Sequence, residues 1–478
     1  MKKIIVSRLF LYKHRFVIGY VLLSLAFVGL LFGLPLIAQN GLSAGEMDSA
    51  VNSYALSYDA PLNGDLVDLP YRLLQKVSIM IFGLTPYAIK LPSIIVGLLL
   101  GVLLILVLNR WFKNNVSLLA SSLVILSTPF LFLAGSGTPL IMLVFWPTLL
   151  LWLGSKIQGE KKPKPMYSFF FAVALLLSIF TPYMLYFAAF CVVFVFLQPH
   201  LRFIIRSLPK VPLFIVGLLI VGGITALIMN IVNHPNTIIE LLFADGMEPG
   251  KYLPNIWSGL TLLFTWSGDA KSVFLSPLIG LPILSLTLIG LFSTTKGFFA
   301  SRNSIATLLL VFALIISGFN PSAIVFVILP VAILNAHGLK YILEKWYGLF
   351  PENPYARIAA LLPLSVLFGI ILVPSLLQYV YGYRYNPQIV NEFSYDLQAI
   401  RGNITDGYLV AKDNYDFYKL LENSTDIEVV NDASLVSGGN VAILHGTYTF
   451  DNHKLSRIIT SPLKEKSDII YLYTVKGD

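Results

Sequence analysis

The chain has 478 residues, 56% of them hydrophobic and only 12% charged, against about 45–50% and about 25% in soluble globular domains. That balance excludes a soluble enzyme. A lone cysteine, Cys191, lies inside an apolar run, which excludes an intramolecular disulfide and a cysteine-based metal cluster. The formal charge is +8, and its distribution along the chain points to a membrane surface rather than to nucleic acid.

The N-terminal MKKIIVSRLFLYKHRF is basic and runs into an apolar stretch. No small-residue cleavage site precedes the acidic loop that follows, so it reads as an uncleaved first span. About 20 apolar residues in helical form cross the hydrocarbon core. Such runs fall at 16–38, 87–108, 116–134, 139–154, 166–180, 182–198, 211–229, 274–293, 305–318, 321–335 and 358–380. They predict an all-α polytopic membrane bundle of about 11 transmembrane helices. With the N-terminus inside, the inside segments carry 19 Lys/Arg and 3 Asp/Glu, and everything outside carries 14 and 22. RWFKNN, SKIQGEKKPKP and PHLRFIIRSLPK then lie inside, and the uncharged turns SGTP and FNPS outside, as positive-inside orientation requires. The expected location is the plasma (inner) membrane, with a cytoplasmic N-terminus and an extracytoplasmic C-terminus. The domain division is a transmembrane part over 1–380, with outer loops 39–86 and 230–273, and an outer domain over 381–478.

The first outer loop opens with GLSAGEMDSAVNSYALSYD, which sets Glu46 and Asp48 directly beyond the first span. Carboxylates at such a cleft suit general-base work; the alternative is a solvated loop. In DLVDLPYRLLQKVSIMIFGL, Leu69, Leu73, Leu74, Val77 and Met80 share a helical face, with Arg72, Gln75 and Lys76 elsewhere. That pattern predicts a helix lying on the membrane surface or against the bundle. Asp68 reads as its cap or as part of a turn. The second outer loop carries His234, Lys251, Trp257 and Trp266. The tryptophans read as interfacial anchors, or as surfaces for stacking a sugar or lipid. Arg72, Lys76, Lys251 and Arg384 are candidate phosphate contacts, each weighed against ordinary snorkelling.

After residue 381 hydropathy falls. GYLVA, IEVV, VAILH and IIYLYTV read as buried strands, and NYDFYKLLEN as a helix capped by Asn414. A small α/β domain is expected. No phosphate-binding loop, HExxH, paired CxxC or dinucleotide fingerprint occurs anywhere in the chain.

The segment from about Leu42 to Phe112 resembles the GT-C superfamily of membrane glycosyltransferases, in particular the protein O-mannosyltransferases and the aminoarabinose transferase-like family. The likeness is carried by an acidic motif after the first span, the amphipathic helix, and FGLTPYAIKLPSIIVGLL, which matches a run of the form FG…A.RLPS…G. The resemblance implies an inverting transfer of a sugar from a polyprenyl-phosphate donor to a protein, lipid or cell-envelope acceptor outside the membrane. Glu46, where the resemblance places the retained acid, would deprotonate the acceptor, or orient it together with a divalent metal ion, with Asp48 as a nearby substitute. A cation would stabilise the departing phosphate. Three positions depart from the family pattern. Gly45 stands where the leading acid of an Asp-Glu pair is usual. Asp68-Leu69-Pro70 replaces a Lys/His-Pro-Pro. AGSGTPLIM, Ala134 to Met142, has neither the usual Arg nor the usual Asp. The departures leave a second reading, an inactive relative that binds a lipid-linked glycan or scaffolds envelope proteins. A transporter or lipid flippase is the third. Against it, the spans are almost bare of ionisable residues, which transport pathways need at membrane depth.

Overall fold

The computed structural model describes residues 14–37, 41–56, 66–159, 165–199, 201–203, 210–244, 249–265, 277–295, 297, 300–349, 361–386, 390–404, 406–436, 438–460 and 469–475. Every apolar run read from the sequence contains a helix. In chain order these are α1 (Arg15–Ile37), then a short β1 (Leu42–Ser43), α2 (Ala44–Tyr54), α3 (Leu69–Phe82), α4 (Pro86–Trp111), α5 (Asn114–Ile125) and α6 (Thr128–Gly135). They continue as α7 (Met142–Gly159), α8 (Pro165–Ser178), α9 (Met184–Leu197), α10 (Lys210–Asn233), α11 (Asn236–Phe243) and α12 (Tyr252–Phe264). The last four of the bundle are α13 (Leu281–Thr295), α14 (Ser301–Ser317), α15 (Ile328–Leu349) and α16 (Leu361–Tyr385).

By length and hydropathy, five helices among the described residues can cross a membrane, or six if α5 and α6 form one broken span. Five further apolar helices are counted at 10–17 residues, α1 among them over Val17–Gly33, so the span count of 11 is not reached by these criteria. The break has a local cause. Ser127 is extended, with ψ of 147°, and Pro129 stands in the first turn of α6, where its missing N–H leaves no intrahelical bond unmade; α5 and α6 meet at 62°. Close helix packing uses small residues, as in membrane bundles generally. A Cβ on Gly290 of α13 would lie 2.0 Å from the Leu334 carbonyl oxygen of α15, and one on Gly338 2.3 Å from that of Leu286. The two backbones therefore touch.

The helix predicted around 69–82 forms, and it is amphipathic in the sense a membrane protein requires. Leu73, Leu74, Val77, Met80, Ile81 and Phe82 are exposed, whereas Tyr71, Gln75, Lys76, Ser78 and Ile79 are buried. The apolar face points to the surroundings and the polar face into the protein.

The C-terminal region adds β2 (Phe393–Ser394), α17 (Asp396–Asn403), β3 (Asp406–Val410), α18 (Tyr415–Lys419), β4 (Asp426–Val430), β5 (Val441–Leu444), β6 (His453–Thr460) and β7 (Ile469–Val475). Strands β3 to β7 make one sheet in the order β4-β3-β5-β7-β6. Its β4-β3-β5 half is parallel and its β5-β7-β6 half antiparallel. Asn414 does stand at the start of α18, but with φ of 54° and no side-chain cap bond. β2 pairs antiparallel with β1, Leu42 opposite Ser394. Leu42, Met47, Ala50, Ile79, Leu84 and Ile89 form a single buried cluster with Leu397, Ile400, Leu409, Phe417 and Leu421. The C-terminal region thus shares its hydrophobic core with α2, α3 and the start of α4.

Candidate functional site

Helix α2 has three faces. Met47 and Ala50 go into the core shared with the C-terminal region. Glu46, Ser49 and Ser53 are buried against α3 and α4. Gly45, Asp48 and Asn52, spaced so as to lie one above another, remain exposed.

Glu46 is the anchor of the buried face and is only 1% exposed. It sits at the third position of α2 in a capping box with Ser43. The Ser43 N–H donates to its Oε2 at 2.8 Å, and the Glu46 N–H donates to Ser43 Oγ at 3.3 Å. Oε1 accepts the N–H of Gly137 at 2.7 Å and lies 3.6 Å from Nζ of Lys90, itself 1% exposed. Lys90 also donates to the Gly41 carbonyl oxygen at 2.7 Å. A Cβ on Gly137 would sit 2.8 Å from Ile89 Cγ2 and 3.4 Å from Glu46 Cγ. Gly137, in the uncharged turn AGSGTPLIM, is therefore what lets a backbone N–H reach the carboxylate.

Gln75 extends the same scaffold. Its Oε1 accepts from Ser49 Oγ at 2.8 Å and Ser53 Oγ at 2.6 Å, and its Nε2 donates to the carbonyls of Ile89 at 3.0 Å and Gly137 at 2.9 Å. All four hydrogen-bonding positions of the amide are engaged. Tyr71 shares a 2.7 Å hydrogen bond with Ser93. Burial pushes its phenol well above the ordinary tyrosine value, against the opposing effect of the Ser93 bond, so it stays protonated.

The remaining sequence candidates are dispersed. Asp48 stands on the open face of α2, one turn beyond Gly45. A Cβ on Gly45 would meet nothing nearer than Thr138 Cγ2 at 4.0 Å, so the position has room for a side chain. Asp68 is buried at the first cap of α3 with φ of 55° and no side-chain cap bond. Lys76 is buried and donates to the carbonyls of Leu56 and Tyr54, the latter at 3.3 Å. It holds the end of α2 to α3. Arg72 is half-buried on α3 and His234 half-buried beyond α10, while Lys251 is exposed at the start of α12. Trp257 is 69% exposed on α12. Arg384 lies in the last turn of α16, and its side chain falls outside the described residues, as does Trp266. The two oxygens of Glu46 already face N–H donors and an ammonium, which does not fit a divalent cation. No group of three or more His, Cys, Asp or Glu among the described residues is placed to hold a metal ion.

The sequence reading passed over Lys90. The signal was there, a single lysine four residues into an otherwise apolar helix, where an ionisable group is expensive unless paired. It also passed over the contact between Asp396 and His445. Asp396 Oδ2 meets His445 Nε2 at 2.8 Å and accepts from Ser394 Oγ at 2.9 Å.

A broken-helix bundle, an acid-bearing helix held at one end, and a C-terminal region packed against that helix make up a fold shared with solved membrane-protein structures. Among solved structures the chain is similar to ArnT from Cupriavidus metallidurans, in the apo state and bound to undecaprenyl phosphate. The TM-scores are 0.57 and 0.58 at 13% identity, over 96% of this chain and 98% of that one. It is also similar to the archaeal oligosaccharyltransferase AglB from Archaeoglobus fulgidus, in complex with an inhibitory peptide and a dolichol-phosphate. There the TM-score is 0.55 at 11% identity, over 91% of this chain and 70% of that one. No family model and no curated protein sequence matches the chain, so the likeness is one of fold.

Proposed function

We propose that this protein transfers a sugar from a polyprenyl-phosphate donor to an acceptor hydroxyl or amine at the α2 end of the bundle, on the extracytoplasmic side of the plasma membrane. The observation that carries the reading is the open face of α2. Its one acid, Asp48, is exposed, while Glu46 behind it is buried and hydrogen-bonded on both oxygens. This divides the roles differently from the sequence expectation. Asp48 is the base, and Glu46 with Lys90 is a positioning pair that fixes where α2 begins. The acceptor oxygen or nitrogen attacks the anomeric carbon from the face opposite the phosphate. The bond from that carbon to the phosphate oxygen breaks, the phosphate leaves with the electron pair, and Asp48 takes the acceptor proton. The configuration inverts. Arg72, on the helix packed against α2, is the cation proposed to meet the leaving phosphate, in place of the Lys/His missing at Asp68. Trp257, exposed on an apolar helix, anchors at the interface. No step is routed through a metal ion.

The eleven apolar segments are proposed as eleven crossings, the shorter ones tilted or broken, with the basic connectors in the cytoplasm. Gly45 favours one further reading, a relative that binds the lipid-linked glycan without transferring it, since an open face with one acid has lost half of the usual pair. Purified full-length protein in detergent, given synthetic polyprenyl-phosphate sugars, separates the two. Turnover that depends on Asp48 supports the enzyme. Saturable binding with no turnover on any acceptor class supports the binder.

A further inference from the structure

The end of the bundle away from α2 holds a cavity of about 820 Å³, within the range of roughly 300–1,000 Å³ typical of small-molecule sites. Along α4, Lys90 and Trp111 are separated by roughly 30 Å at 1.5 Å per residue. The cavity, which Trp111 lines, is therefore remote from the α2 site. Its walls change character along their length. Leu150, Phe171, Phe190 and Leu309 line it toward the middle of their helices, and Phe187 in the first turn of α9. Phe190 stacks on Phe187 and on Phe194, with ring centroids 6.0 and 6.2 Å apart. Gln158, Gln198 and Arg302 line it at the ends of theirs. Those ends border the connectors 109–115, 155–165, 199–210 and 294–304, where Lys and Arg far outnumber Asp and Glu.

The polar residues at this mouth are arranged with donors in excess. Arg302 is half-buried and donates from Nη1 to the Trp111 carbonyl oxygen at 3.2 Å. A guanidinium carries five N–H donors, and among the described residues no ion pair joins this one to a carboxylate. Gln198 is held by Ser304 Oγ at 2.9 Å and Ser301 Oγ at 3.4 Å. Arg110 reaches the cavity wall through the Ser155 carbonyl at 3.3 Å.

We propose that this cavity binds one anionic phospholipid from the leaflet at the basic end, with an acyl chain among the phenylalanine rings and the phosphate on Arg302. The apolar walls select a chain and the guanidinium selects a phosphate, which it can grip through two parallel N–H donors. Basic residues at the membrane surface draw anionic lipids to the mouth. The site is separate from the proposed transfer chemistry and does not depend on it.

Trp111 at the mouth supplies the readout. Full-length protein in mixed micelles is titrated with phosphatidylglycerol or phosphatidylcholine brominated on the acyl chain, and Trp111→Phe defines the share of quenching that belongs to this site. Phosphatidylglycerol is expected to quench that share at about tenfold lower lipid fraction, the size of a hydrogen bond to a charged group. Arg302→Gln should bring the two lipids close together, and Arg302→Lys should keep part of the preference and controls for folding. Gly154→Leu grows into the cavity from a Cβ position 3.9 Å from the nearest atom, on Phe171, and should weaken quenching by both lipids. Equal quenching by both lipids in the wild type, or no effect of Gly154→Leu, would mean annular lipid only and would overturn the proposal. So would displacement by polyprenyl phosphate at a much lower fraction than phosphatidylglycerol, which would assign the cavity to a carrier instead.

Discussion

At the α2 end of the bundle, Glu46, Lys90, Gln75, Tyr71 and Ser93 are buried and bonded to other protein groups. At the basic end, Gln158, Gln198 and Arg302 line a cavity. The α2 end buries its polar side chains, and the basic end leaves them half-buried at the cavity mouth. The difference lies in what completes their hydrogen bonding. Where the protein does so, the groups make a frame, since a buried pair costs several kcal/mol only once a partner is lost. Where donors face a cavity, a ligand can finish the set. Burial alone therefore does not mark a reactive residue, and at the α2 end the exposed Asp48 is a better candidate base than the buried Glu46 beside it.

That contrast can be broken at several strengths. Truncation after Asn386 removes the partner of Leu42 and Met47, each a buried side chain worth about 1.5–3 kcal/mol. The largest loss of stability is expected here, read as a fall in Tm and as protease cleavage within α2. An unchanged melt would mean that the shared core contributes nothing to the frame. Lys90→Met is next, at about 3–5 kcal/mol, because it leaves Glu46 buried and unpaired. The double change with Glu46→Gln should cost less than the sum of the single ones in a thermal double-mutant cycle; simple additivity would deny the pairing.

The sequence made the bundle legible because each run is apolar over nearly its whole length, and hydropathy needs no partner to be read. It also singled out GLSAGEMDSAVNSY and the FG…LPS run, the stretches that carry the buried Glu46 and Lys90. The orientation of the two acids was not legible. Glu46 and Asp48 are two residues apart and fall on different faces, and only the packing of α2 decides which face is covered. Lys90 was hidden in an apolar run, and β6, HKLSRIIT, was missed because an exposed edge strand lacks apolar alternation. The docking of the C-terminal region rests on the pairing of Leu42 with Ser394, 352 residues apart in sequence, which no local pattern encodes.

Weaker perturbations sharpen the contrast. Gln75→Leu strips partners from Ser49 and Ser53 and from two carbonyls. A loss of about 1–3 kcal/mol is expected, the cost of buried unsatisfied groups, measured by thermal denaturation in detergent. Asp48→Asn, on the exposed face, should shift stability by no more than about 0.5 kcal/mol.

The central claim is that Asp48 does the chemistry and Glu46 holds the frame. Its most direct test is the rate of sugar transfer by Asp48→Asn and Glu46→Gln, each normalised to folded protein and read beside its Tm. Asp48→Asn is expected to lose about 10²–10⁴ in rate with Tm unchanged, and Glu46→Gln to lose Tm while its folded fraction keeps a rate close to wild type. Full activity in Asp48→Asn, together with a lost rate and unchanged Tm in Glu46→Gln, would contradict the assignment and make the buried acid the base.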